Sequence, residues 1–327
     1  MACYVKLLAS FVTVNFGSMR ARWHGMPNAN KVVGINGSVD AAAQGAMALF
    51  DSESGTCEWT VPLESPAGFC LNGDDVYVAS MMGNRVMVLG PTMELKDSFS
   101  NYLMNDLHSL CIDGSEMLVT SSGTDSIIRC GLTGDVRSQW RATENGFCRT
   151  PGGSRRKIKK HVDFRCVTIE TEAQTTHINS AVPVIDRGAR NTVATLFHQG
   201  ELLLIDDVTG RTRVLLRGMN CPHSIRRRSN GWMVCSSRDG SVVLLDREFG
   251  ITDIVQEKFD WVQDAVELDS DHLLIADANN HRLVTWSVSE LEIVGEIQYS
   301  SEWKVYQIEM LDETAPLVHY RPAVSPS

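Results

Sequence analysis

Three phrases scattered along the chain each present a histidine in a similar setting. They are Leu107-His108-Ser109-Leu110, Thr176-His177-Ile178-Asn179-Ser180 and Pro222-His223-Ser224-Ile225. A fourth phrase, Val262-Gln263-Asp264-Ala265, has the same shape with an amide and a carboxylate in place of imidazole. Imidazole is a ligand for zinc, iron, nickel and copper, and a nearby carboxylate completes or orients such a site. The chemistry to expect is Lewis acidity or a bound water with a lowered pKa. None of these residues forms a local metal motif such as HExxH. They can act together only if the fold brings distant segments to one point.

The elements around the phrases supply that fold. His108-Ser109-Leu110-Cys111-Ile112-Asp113-Gly114 is followed by Met117-Leu118-Val119-Thr120-Ser121. Ala67-Gly68-Phe69-Cys70-Leu71-Asn72-Gly73 is likewise followed by Val76-Tyr77-Val78-Ala79-Ser80, and His223 and Asp264 open two further copies. Third runs follow in register, such as Arg85-Val86-Met87-Val88-Leu89 and Val242-Val243-Leu244-Leu245-Asp246. These runs are short, apolar, rich in β-branched residues and bounded by Gly, Asp and Asn, which predicts strands. The turns Gly131-Leu132-Thr133-Gly134 and Asp207-Val208-Thr209-Gly210 carry glycine where positive φ is needed.

The spacing is 41 residues from Ala67 to His108, 41 from His223 to Asp264, and 43 from Asp264 to Gln307. A unit of that length with several strands is a propeller blade. The 115 residues between His108 and His223 exceed two blades, and residues 143–175, a polar stretch with Pro151-Gly152-Gly153-Ser154, absorb the excess. A long insertion on a compact fold is often a lid or binding loop. The first copy begins at Lys31-Val32-Val33-Gly34-Ile35 and Ala46 to Asp51 and lacks an inner strand, whereas Val305 to Leu311 is a spare one. Pairing them predicts an all-β, six-bladed β-propeller closed by its own N- and C-terminal segments, with no exposed sheet edges. Seven blades, using residues 1–24 as extra strands, or a pair of β-sandwiches are the competing architectures. Residues 25–327 then form one propeller domain, and residues 1–24 are a leader or an extra strand.

In register, the axial ring reads Ala67, His108, His177 or Asn179, His223, Asp264 and Gln307. His108, His177, His223 and Asp264 are the candidate metal ligands, with zinc or iron the expected ion. Asp264, Arg238 and His198 are the candidate catalytic groups. Asn179, Gln263 and Gln307 are candidate substrate-lining residues. Arg238 follows a second strand and suits an anionic substrate. His198 ends a predicted strand near the mouth. Propeller channels are wet, so the same residues also fit a purely hydrated lining. His281 is expected in a structural turn, and His24, His161, His272 and His319 sit in no such phrase.

Composition bounds the remainder. Apolar residues are 43% of the 327, enough for a core, and charged residues 21%. A net charge of -10 excludes a general nucleic-acid binder. Nine cysteines with no CxxC pair read as free thiols in a reducing compartment, which predicts a cytoplasmic protein. Lys6 before Leu7 to Val14 is a weak signal-peptide pattern and leaves secretion as the alternative. No run approaches the roughly 20 apolar residues that cross a bilayer. The basic run Arg155 to Lys160 reads as a solvated loop or an anionic-surface patch. The expected partner is a small-molecule substrate, with no nucleic acid and no membrane.

Three resemblances add to this reading. Asp277-Ala278-Asn279-Asn280-His281-Arg282 after Leu273-Leu274-Ile275-Ala276 resembles the strand-turn-strand of NHL-type propellers. Pro222-His223-Ser224-Ile225 and, more weakly, Leu107-His108-Ser109-Leu110 are similar to peptidyl-hydroxyglycine lyases. There such histidines hold a catalytic zinc at the axis, which implies a metal role for His223 and His108. His177-Ile178-Asn179-Ser180 and Val262-Gln263-Asp264-Ala265 are similar to arylsulfotransferases. That family carries a nucleophilic histidine where this chain has Gln263, and an amide cannot take its part. The resulting expectation is a metal-dependent lyase or hydrolase acting on a small polar molecule. A metal-free transferase or lyase and a non-enzymatic binding scaffold are the alternatives.

Overall fold

Six sheets of four antiparallel strands stand in a ring, as the repeat predicts. The computed structural model describes residues 4–13, 45–159, 161–312 and 315–319. The inner strands are Pro66–Asn72, Leu107–Asp113, Ile178–Asp186, Pro222–Arg228, Val262–Glu267 and Trp303–Asp312, which open blades one to six. In blades one to five the chain runs outward through three further strands in sequence order.

Blade six closes the ring with both ends of the chain. Its order is Trp303–Asp312, Tyr4–Thr13, Gly45–Asp51, Cys57–Pro62. The second strand is therefore Tyr4–Thr13, inside the stretch read as a leader or an extra strand, with Ala9 opposite Ile308 and Leu8 opposite Glu309. The expected strand at 31–35 lies outside the described residues. Tyr4–Thr13 adds its strand to the sixth blade and not to a seventh.

Each of the six apolar clusters lies between two neighbouring blades. Leu107, Leu110, Val119 and Ile128 of blade two, for example, pack on Ala79, Val86 and Val88 of blade one. Middle strands are covered on both faces, so Ser241–Leu245 is buried throughout, while the outermost Glu292–Gln298 alternates between exposed and half-buried. That is why the middle strands read as continuous apolar runs.

The inner strands share one local device. In blades one to five the residue before the strand has positive φ: Ser65 at 37°, Asp106 at 55°, His177 at 48°, Cys221 at 55° and Trp261 at 65°. The first strand residues then form a bulge against the second strand, as between Leu107 and Leu110 or Pro222 and Ile225. Blade six has the same extra residue, Tyr306, between Val305 and Gln307. A bulge bends the strand and re-aims its side chains. A left-handed conformation costs non-glycine residues about 1–3 kcal/mol. Its recurrence in five blades makes it a property of this turn, not a mark of one site.

The insertion is tied down at one carboxylate. Asp125 is fully buried and follows the turn Ser122–Thr124. Its Oδ1 accepts from Thr176 N at 2.8 Å, Thr176 Oγ1 at 2.9 Å and His177 N at 3.1 Å. Its Oδ2 accepts from Thr175 N at 2.8 Å and from Arg156 Nη1. Arg156 thus turns inward from the basic run, although Arg155 and Lys157 stay at the surface. Asn105 Nδ2 adds bonds to Phe164 O at 2.7 Å and Val167 O at 2.8 Å. Asp125→Ala should cost roughly 3 kcal/mol, because it strands a buried guanidinium and several amides. Limited proteolysis should then cut within 143–175, and cleavage at the parent's rate would contradict this account.

Candidate functional site

The left-handed residues fix the register of the axis. Counting two positions on from each gives Ala67, His108, Asn179, His223 and Gln263, and the bulge in blade six gives Tyr306. Asn179 is thus the equivalent of His108, and His177 is the equivalent of Asp106. Asp264 and Gln307, placed in this ring from the sequence, stand one residue further along. Of these, His108, Asn179, His223, Gln263, Asp264, Tyr306 and Gln307 line an axial cavity of about 80 Å³, and Ala67, Asp106 and His177 do not.

Several lining residues staple neighbouring blades. Gln307 Oε1 accepts from Phe69 N at 3.0 Å and its Nε2 donates to Phe69 O at 2.6 Å, joining blade six to blade one. Asn179 Nδ2 donates to Pro222 O at 3.0 Å. Asp264, 1% exposed, accepts from Ile308 N at 3.0 Å and from Arg226 at 2.7 and 3.1 Å. Gln263 Oε1 accepts from Trp261 Nε1 at 2.9 Å. Arg226 also bonds Glu309 at 3.0 Å. Burial opposes the charge on Arg226, yet Asp264 and Glu309 together raise its pKa. Burial raises the pKa of Glu309, which shares that single cation with Asp264. With both its oxygens on Arg226, Asp264 is placed to balance a charge and hold two blades together.

The metal-ligand geometry gathers elsewhere. Asp106, His108 and His177, all buried, offer ligand atoms within 4.8 Å of one another, and the two imidazole centroids are 4.6 Å apart. His108 Nε2 lies 3.6 Å from Asp106 Oδ1 and has no hydrogen-bond partner among the described residues. Gln174, carried in by the insertion, organises the other side. Its Nε2 donates to Asp106 Oδ2 at 3.1 Å, and its Oε1 takes a 2.6 Å bond from His177 Nδ1. An amide oxygen only accepts, so Nδ1 of His177 carries the proton and Nε2 the lone pair. His108 Nδ1 is hydrogen bonded to Tyr306 Oη. Ligand atoms about 2.0–2.1 Å from a tetrahedral ion are about 3.4 Å apart, close to the His108–Asp106 separation. Bonding of the remote imidazole nitrogen is what orients a ligating histidine.

His223 stands apart from this cluster, beyond Phe197, whose ring is 4.9 Å from His177 and 5.6 Å from His223. Its Nδ1 bonds Cys221 O at 3.0 Å and Ser237 Oγ at 2.7 Å. Burial pushes its pKa down to about 3. His198 Nε2 bonds Thr171 O of the insertion at 3.0 Å. Arg238 is exposed in the turn Ser237–Asp239 and does not line the cavity. His281 is in the structural turn expected of it, at φ 54° with Nδ1 bonded to Trp303 O at 2.8 Å. His272 pairs with Asp269 near the surface, and His161 is exposed. His24 and the side chain of His319 lie outside the described residues. The sequence reading missed Asp106, Gln174 and Tyr306. Asp106 was detectable as a carboxylate two residues before His108, but Gln174 lies in the insertion, and the bulge in blade six shifts the axial position from Gln307 to Tyr306.

Solved structures share the fold. A Bacteroides caccae protein of unknown function aligns with a TM-score of 0.59 at 13% identity, over 94% of this chain and 98% of its own. A nidogen/laminin complex aligns at 0.59 and 9% identity, over 93% and 97%. A catalytically inactive virginiamycin B lyase from Staphylococcus aureus, solved with quinupristin, aligns at 0.50 and 12% identity, over 72% and 70%. No protein-family model and no curated protein sequence matches. At these identities the likeness is one of fold.

The buried His223 gives a pH signature. Unfolded, it protonates near 6.5; folded, only near 3. Its contribution to stability is complete above pH 6.5 and is lost as pH falls toward 3, because the unfolded chain takes up the proton first. His223→Gln should flatten the acid side of a urea-midpoint profile over that interval. An unchanged slope would show that His223 is not buried in the neutral form.

Proposed function

We propose that the protein is a metal-dependent enzyme, a lyase or hydrolase, with a divalent ion held by Asp106, His108 and His177. The observation that carries this reading is the buried His108 Nε2, without a hydrogen-bond partner among the described residues and 3.6 Å from a carboxylate oxygen. A buried nitrogen left unmatched costs about 1–3 kcal/mol, and a cation between it and Asp106 would remove that cost. Two imidazoles and a carboxylate suit zinc or non-haem iron, and the ion would supply Lewis acidity. The residues do the rest. Gln174 fixes the tautomer of His177 and the orientation of Asp106 together. Tyr306 accepts the Nδ1 proton of His108, which leaves Nε2 as the donor of a lone pair. Neutral His223, Asn179 and Gln263 offer polar edges to a substrate in the axial cavity. At about 80 Å³ that cavity accepts one functional group of a small polar molecule and not a drug-sized body. The resemblance of the His108 and His223 phrases to a lyase family, and a solved lyase on this fold, support elimination over the other reactions considered.

A second reading rests on the other His108 tautomer. If Tyr306 donates to Nδ1, then Nε2–H faces Asp106 and the three form a relay, with Tyr306 as proton donor or nucleophile. This is the metal-free route.

Metal analysis separates the two. Protein purified without a histidine tag should carry about one zinc or iron per chain, and Asp106→Asn or His177→Gln should lose it. Gln174→Leu should weaken metal affinity about 10–100-fold, whereas His223→Ala should leave metal content unchanged. No stoichiometric metal, together with no thermal shift on adding zinc, would overturn the metal reading. Activity that survives chelation but not Tyr306→Phe would establish the relay.

A further inference from the structure

The inner strands that begin at the axial ring end at a second, larger feature. Five residue steps of strand, about 17 Å, separate His108 from Asp113, whose hairpin forms one wall of a 1240 Å³ groove. The other walls are the hairpins Asp186–Ala189 and Arg228–Gly231 and the turn at Arg247–Phe249. The volume exceeds the ~300–1,000 Å³ of small-molecule sites, and the groove is open along its length.

Its charge runs against that of the molecule. The chain carries -10 overall, yet six arginines line this groove: Arg187, Arg190, Arg213, Arg227, Arg228 and Arg247. Three are already neutralised. Arg190 pairs with Asp113 and Glu116, Arg213 with Asp186, and Arg228 with Glu267. Arg187, Arg227 and Arg247 are exposed and make no ion pair among the described residues. They project from blades three and four around one opening. Beside them Trp232 and Phe249 stack at 5.4 Å and 17°, and Ile185 is 73% exposed.

We infer that this groove docks an acidic peptide segment of a partner protein, with carboxylates on Arg187, Arg227 and Arg247 and an apolar side chain against Ile185 and the Trp232–Phe249 stack. Guanidinium forks match carboxylates in bidentate geometry, and arginine beside aromatic surface is the composition of binding hot spots. A nucleic acid fits less well. Asp113, Glu116, Asp186 and Glu248 interrupt the positive field and would repel a continuous phosphate backbone. Alternating cations and carboxylates instead select a segment whose charges are spaced. The inference is independent of the axial chemistry.

Fluorescence anisotropy of the full chain tests it. The probes are a labelled peptide alternating glutamate with leucine, its lysine counterpart, and a single-stranded RNA of equal length. The acidic peptide should bind saturably, more tightly at low salt, and the lysine peptide should not. The triple variant Arg187→Glu, Arg227→Glu, Arg247→Glu should weaken binding at least about tenfold while its thermal midpoint and metal content match the parent. Trp232→Ala should weaken it separately. No saturable binding of the acidic peptide, equal binding by the triple variant, or RNA binding as tight as the peptide would each overturn the proposal.

Discussion

The ring holds because its two chain ends share one sheet. Tyr4–Thr13 lies between Trp303–Asp312 and Gly45–Asp51, hydrogen bonded on both sides. Without it the innermost strand of blade six would lose its partner, and the interfaces with blades one and five would lose Leu8 on one side and Leu7, Ala9 and Phe11 on the other. The axial residues depend on this closure, since Gln307 reaches blade one and Asp264 reaches blade six only when all six blades are present. The closure also brings Tyr306, from the last strand, to the Nδ1 of His108 in the second blade.

Two kinds of polar group share the axis. Gln307 and Asn179 bond the backbone of the next blade, and Asp264 bonds Arg226 on one side and Ile308 N on the other, so all three belong to the architecture. Asp106, His108 and His177 are bonded from behind by Gln174 and Tyr306 and face one another. The contrast is one of hydrogen-bond direction: the first group bonds across blades, and the second is oriented toward a shared point. Buried groups bonded across blades stabilise the ring, while ligand-type groups oriented from behind toward one point suit a ligand.

The insertion ties the two together. Its end is fixed by Asp125, which receives the amides of Thr175, Thr176 and His177 in one turn. That turn sets the left-handed backbone of His177 and delivers Gln174 to Asp106. A long polar segment read from the sequence as a loop is thus part of the candidate centre. Its neighbour Arg156, read as one of a solvated run, is the cation that balances Asp125 under burial.

The period of about 41 residues, the apolar runs and the glycine turns were enough to predict a propeller of six blades, with seven as the alternative, because each blade repeats the same burial problem; the structure has six. The histidine phrases were equally legible as inner-strand starts. Their common register was not. A bulge adds one residue without a sequence mark, so Asp264 and Gln307 seemed equivalent to His108 when Gln263 and Tyr306 are. Nor could spacing show that His177 shares a position with Asp106, since only backbone φ distinguishes it from Asn179. Sequence therefore determined which elements form and which of their ends carry imidazole. Tertiary structure alone decided which side chains meet, because their meeting depends on ring closure, a one-residue bulge and an insertion held by Asp125 and Asn105.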